Sequence, residues 1–81
     1  MSPIEELVAI AHERAARLPA PSRRRQLRLA AALTLAEVGS ALGVTPSAVM
    51  HWERGGVPRG ARRAKYAALL EGLAAEVGAQ A

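Results

Sequence analysis

Within residues 33–54, LTLAEVGSALGVTPSAVMHWER, two helix starts and one helix stop stand so close together that the chain must turn a sharp corner between two short helices. Thr34 followed three residues later by Glu37 is a capping box: the threonine oxygen takes an orphan helix N–H and the glutamate reaches back to the cap's own backbone. A helix is therefore predicted from Leu35. Val38, Ala41 and Leu42 recur at the spacing of one helical face, and Gly43 supplies the left-handed conformation that ends the helix after about two turns. Thr45 is a second N-cap, with Pro46 at the first helical position, where its fixed φ suits the helix and its missing N–H is not needed. Two short helices joined in this way cross steeply. Gly39 lies just before the corner, where a larger side chain would hold the second helix away.

The second helix has two faces. Ala48, Val49 and Trp52 share one side, suited to burial against Val38, Leu42 and Val44, whereas Ser47, Met50, His51 and Arg54 fall on the other. Gly55-Gly56 stops the helix, and Val57-Pro58 keeps the chain from resuming it at once. This is a helix-turn-helix, and the outer face of its second helix is what a groove of duplex DNA would meet.

Residues 22–73 resemble the lambdoid phage repressor and Cro type of helix-turn-helix, also called the xenobiotic-response-element type. The resemblance is carried by Gly43, Val44, Thr45, Val49, Trp52 and the Glu53-Arg54-Gly55 ending. It implies a compact, lambda-repressor-like helical domain whose third helix enters the major groove, and an ion pair between Arg28 and Glu53. Three residues depart from the family pattern. Leu35 stands where a polar residue usually touches phosphate, Gly39 replaces a commoner alanine, and Pro46 takes a position that reads a base in several relatives.

Charge is concentrated around the motif. Between residues 19 and 65 the chain carries Arg23, Arg24, Arg25, Arg28, Arg54, Arg59, Arg62, Arg63 and Lys65 against Glu37 and Glu53 alone, a net +7 within a chain of net +4. Neutralising phosphates and releasing their counterions would use such a concentration. Arg23 to Arg25 also sit in the first turn of a helix, where cations oppose the macrodipole, so helix stability does not account for them.

The whole chain reads as all-α, with five helices and no strands. An N-terminal amphipathic helix and linker occupy residues 1–21, the DNA-binding domain 22–77, and a frayed tail 78–81. The first helix, over about 3–18, is opened by Ser2, Pro3 and Glu5, and its stripe is Ile4, Leu7, Val8, Ala11, Ala15 and Leu18. That stripe is read as cover for the chain's own core, with pairing to a second copy as the alternative. A second helix spans about 22–32 with Leu27, Ala30 and Ala31 inward; the last, about 59–77, turns Tyr66, Leu69, Leu70, Leu73 and Val77 inward.

From this pattern Pro46, Ser47, Met50 and His51 are expected at base edges. Thr34, Thr45, Arg23, Arg24, Arg25, Arg54, Arg59, Arg62, Arg63 and Lys65 are expected on the phosphate backbone. His51 can donate to guanine N7 or O6 and Met50 can touch a thymine methyl, but none of the four is a strong bidentate reader. Affinity is therefore expected to be largely electrostatic. Because one short helix reads few base pairs, a homodimer on a pseudo-palindromic site is expected, in a transcriptional repressor of the phage or mobile-element kind. The alternative is an adaptor or antitoxin-like module whose basic face meets an acidic protein.

Other classes fit poorly. The 81 residues suffice for one small domain, the chain has no cysteine and hence no disulfide or thiolate metal site, and its two histidines are far apart without acidic companions. His12 is read as a solvated surface residue. No nucleophile, base and oxyanion arrangement can be assembled, so neither an enzyme, a cofactor nor a small-molecule ligand is expected. The absence of a long apolar run or a signal-like N-terminus makes a cytoplasmic protein the default expectation.

Overall fold

A computed structural model describes residues 2–80, without the side chains of 11–16, 79 and 80. The stripe positions Ala11 and Ala15, and His12, thus lie outside the described side chains. The described residues form five helices and no strand: α1 Pro3–Ala16, α2 Pro21–Ala30, α3 Leu35–Leu42, α4 Pro46–Glu53 and α5 Gly60–Gln80.

The corner between α3 and α4 forms as its local chemistry dictates. Thr34 Oγ1 accepts from the Glu37 N–H at 3.0 Å while Glu37 Oε1 accepts from the Thr34 N–H at 2.9 Å. Hydrogen bonding of the exposed Glu37 carboxylate to the Thr34 backbone N–H, and then to the Thr34 side chain, holds it below its ordinary pKa. Gly43, at φ 71°, closes α3, and Thr45 Oγ1 accepts from Ala48 N–H at 3.1 Å to open α4. A Cβ on Gly39 would lie only 2.7 Å from the Val44 carbonyl oxygen. It is thus the backbone of the turn itself, more than the second helix, that demands glycine there.

α5 is the keel of the domain, touching α1, α2 and α3, while α4 rests on α2 and α3. Between them lies one core of Leu27, Val38, Leu42, Val49, Trp52, Tyr66 and Leu70. The rings of Trp52 and Tyr66 meet at 4.9 Å between centroids, tilted by 43°, a favourable aromatic geometry that joins α4 to α5. Leu33, Leu35, Val44, Leu69, Leu73 and Val77 pack around this core.

Three expectations change. The first turns of the α1 stripe do not cover the core: among the described helices α1 touches α5 alone, and Ile4 and Leu7 remain 73% and 66% exposed, whereas Leu18, just past the helix, packs against the core. Gly78 does not end α5, which continues to Gln80. In α2, Pro21 rather than Ser22 opens the helix, and Ala30 faces solvent, because the inward face is set by Arg24 and Leu27.

Candidate nucleic-acid interface

Separation of the two faces of α4 is sharp. Val49 is fully buried and Trp52 nearly so, whereas Pro46, Ser47, Met50, His51 and Arg54 are exposed. The cause is register: residues three and four apart return to the same side, and the apolar side is claimed by the core. Thr34 and Thr45 are exposed at the openings of α3 and α4. Each hydroxyl accepts from its helix; the Thr34 hydroxyl is also engaged with the Glu37 carboxylate, whereas that of Thr45 keeps its own O–H to donate.

Beside the outward face runs a groove between α2 and α4, lined by Arg25, Leu29, Leu35, Met50 and Arg54 among others. Its lining mixes apolar Leu29, Leu35 and Met50 with basic Arg25 and Arg54. Leu35 is partly buried against the core and adds an apolar side chain to the groove.

Arg28 and Glu53 also line the groove. Arg28 Nε donates to Glu53 Oε2 at 2.6 Å and Nη2 to Oε1 at 3.0 Å, a bidentate pair whose side chains are 11% and 6% exposed. Arg28 Nη1 also donates to the Leu33 carbonyl at 3.0 Å. The hydrogen-bonded carboxylate raises the pKa of the guanidinium, outweighing burial, which lowers it. The pair ties α2 to the last turn of α4.

The run Arg23 to Arg25 is not one basic patch. At 100° per residue a helix sends three successive side chains in three directions. Arg25 lines the groove beside α4; Arg23 lines a different groove, between α2 and α5, with Leu70 and Glu71. Arg24 turns inward, and its expected place on the phosphate backbone is corrected. Only 6% exposed, it donates to the carbonyls of Pro19 at 2.7 Å, Trp52 at 2.9 Å and Gly56 at 3.1 Å. One of these acceptors, the Trp52 carbonyl, lies at the C-terminal end of α4, where the helix dipole favours a cation. Arg24 thereby clamps α4 and the turn after it to α2. The signal for this was present in the sequence: Arg24 precedes the core residue Leu27 by three, on the same face.

At the start of α5, Arg59, Arg62 and Lys65 are exposed, and Arg63 is half-buried and engaged in an interaction of its own. Tyr66, one residue further, is buried at 2% exposure. Its phenol pKa is pushed up to about 12, first by burial and then by the Glu53 charge. Among the described residues no cluster of side chains could hold a metal ion, and no helix is long and apolar enough to cross a membrane.

The fold and this surface define a small all-helical domain of the kind that presents one short helix to DNA. Residues 23–80 match the family model described as helix-turn-helix domain, and the chain belongs to that family of DNA-binding domains. Comparison with characterised proteins and with solved structures gave no match.

Proposed function

We propose that this protein is a sequence-specific transcriptional regulator, a repressor in the manner of the phage and mobile-element proteins it resembles, which places α4 in the major groove of double-stranded DNA. The observation that carries this reading is the outward face of α4. Pro46, Ser47, Met50 and His51 stand exposed at its reading positions, and Arg25 and Arg54 line the adjoining groove. In this reading His51 donates to a guanine edge, Met50 and Pro46 make apolar contacts such as a thymine methyl offers, and Ser47 adds a permissive hydrogen bond. Thr34, Thr45, Arg25, Arg54, Arg59, Arg62, Arg63 and Lys65 hold the backbone and supply a salt-sensitive share of the affinity.

Four reading residues specify little sequence, so the protein acts as a homodimer on two half-sites about 34 Å apart. The second copy seats on α1, whose exposed stripe of Ile4, Leu7, Val8 and Ile10 belongs to the helix that touches α5 and not α4. Pairing there leaves both reading helices open. Leu7→Glu should therefore convert a dimer seen in sedimentation to a monomer with an unaltered helical spectrum; a dimer that survives the charge contradicts this seat.

Random-site selection with the purified protein tests the function. A recovered motif with dyad symmetry supports it. Retention of duplexes without any preferred bases would contradict sequence reading and favour an acidic protein as the partner of the basic surface.

A further inference from the structure

His51 is exposed on the outward face of α4, yet its ring does not simply stand in solvent. The imidazole lies across the turn between α4 and α5, with Cδ2 and Nε2 in the space that a Cβ on Gly56 would occupy. The turn beneath it is held on both sides of Gly56. The Gly56 N–H donates to the His51 carbonyl at 3.0 Å, and the Gly56 carbonyl accepts from the buried Arg24 at 3.1 Å. Two residues on, Pro58 is buried. Gly55, at φ 115°, takes the left-handed conformation that ends α4, whereas Gly56 is not in that region and has no backbone need to be glycine. Space for the ring is the remaining reason.

We infer that Gly56 is a specificity-determining position. Lacking a side chain, it lets the clamped turn act as a shelf for the His51 imidazole and fixes the direction from which the ring nitrogens approach a base edge. The inference rests on the base-reading role proposed above for His51. Its physical content is preorganisation: a side chain already ordered in the free protein spares the loss of affinity, about two- to tenfold, that ordering it on binding would cause. A methyl group at position 56 meets the far end of a side chain that can rotate away, while the turn is anchored. The ring moves and the fold does not.

The test uses the full chain with Gly56→Ala, His51→Ala and the double variant, read on the duplex recovered by site selection. In the free wild-type protein, NMR should show contacts between the His51 ring protons and the Gly56 α-protons, and Gly56→Ala should keep the fold and the melting temperature while the ring loses its contacts to residue 56. On DNA, Gly56→Ala should weaken binding by about two- to tenfold and flatten selection at the same base pair that His51→Ala flattens. It should add nothing in the His51→Ala background. Equal losses in both backgrounds overturn the inference, as does an unchanged selection by Gly56→Ala where His51→Ala alters it; in those cases base reading by His51 stands and only the shelf falls. A Gly56→Ala protein that melts far below wild type also overturns it, because the turn and not the ring would then have given way. If His51→Ala itself leaves selection unchanged, base reading by His51 fails and the shelf fails with it.

Discussion

Ala32 carries a strain that its neighbours avoid. Three helices end alike, with paired backbone hydrogen bonds back into the last turn: Ala32 to Leu29 with Leu33 to Arg28, Gly43 to Ser40 with Val44 to Gly39, and Gly55 to Trp52 with Gly56 to His51. This is the Schellman arrangement, which places one residue in the left-handed region. Gly43 and Gly55 take it freely, but Ala32 does so at φ 57°, which costs an L-residue about 1–2 kcal/mol. Ala32→Gly should raise stability by about 0.5–1 kcal/mol once the greater freedom of the unfolded chain is subtracted. Denaturant titration checks this, and an unchanged or lower midpoint would count against the strain. The same scale shows where reading a sequence succeeds. Thr34, Gly43 and Thr45 are legible because a cap is decided by a few adjacent atoms. Arg24 is not legible as one of three arginines, because charge counts ignore the rotation that sends one of them into the core.

At the scale of elements, α2 is the strut that fixes α4, through Arg24 at the Trp52 and Gly56 carbonyls and through Arg28 at Glu53. Arg28→Ala leaves a nearly buried carboxylate without its bidentate partner, and the expected loss is about 3–5 kcal/mol. Arg25→Ala, exposed in the adjoining groove, should change stability by less than about 0.5 kcal/mol. Thermal melts of the two variants compare them directly, and an Arg28→Ala protein as stable as Arg25→Ala would remove the pair from the account. Helix α1 shows the limit of periodicity as a guide. A stripe such as Ile4, Leu7 and Val8 states that a face favours cover, and it does not say whether the cover is its own core or another molecule. The core-facing residues of α5 were legible for the opposite reason: Tyr66, Leu69, Leu70, Leu73 and Val77 follow a helix that has the whole domain on one side.

For the molecule as a whole, the core and the interface share one electrostatic centre, where Glu53, Arg24, Arg28 and Tyr66 influence one another. Because the folded state raises the Tyr66 pKa from 10.0 to about 12, its neutral phenol is favoured by folding. The contribution is fully present below pH 10 and is lost as pH rises from about 10 to about 12, a fall of the order of 2–3 kcal/mol. Tyr66→Phe should flatten the stability profile over that window in denaturant titrations against pH; the same slope in the variant would assign it elsewhere. Glu37 acts in the other direction: its lowered pKa gives stability above the ordinary carboxylate range that is lost as pH falls through it. These effects support the platform, while in the proposed reading the recognition is modest in polar groups and leans on arginines outside α4. Binding strength and sequence preference should therefore separate experimentally. The direct measurement is the affinity of wild type and His51→Ala for the selected duplex and for a scrambled one, at matched salt concentrations. The account predicts that His51→Ala loses about 1–3 kcal/mol on the selected duplex and much less on the scrambled one, with the salt dependence of both nearly unchanged. Equal losses on the two duplexes would contradict it.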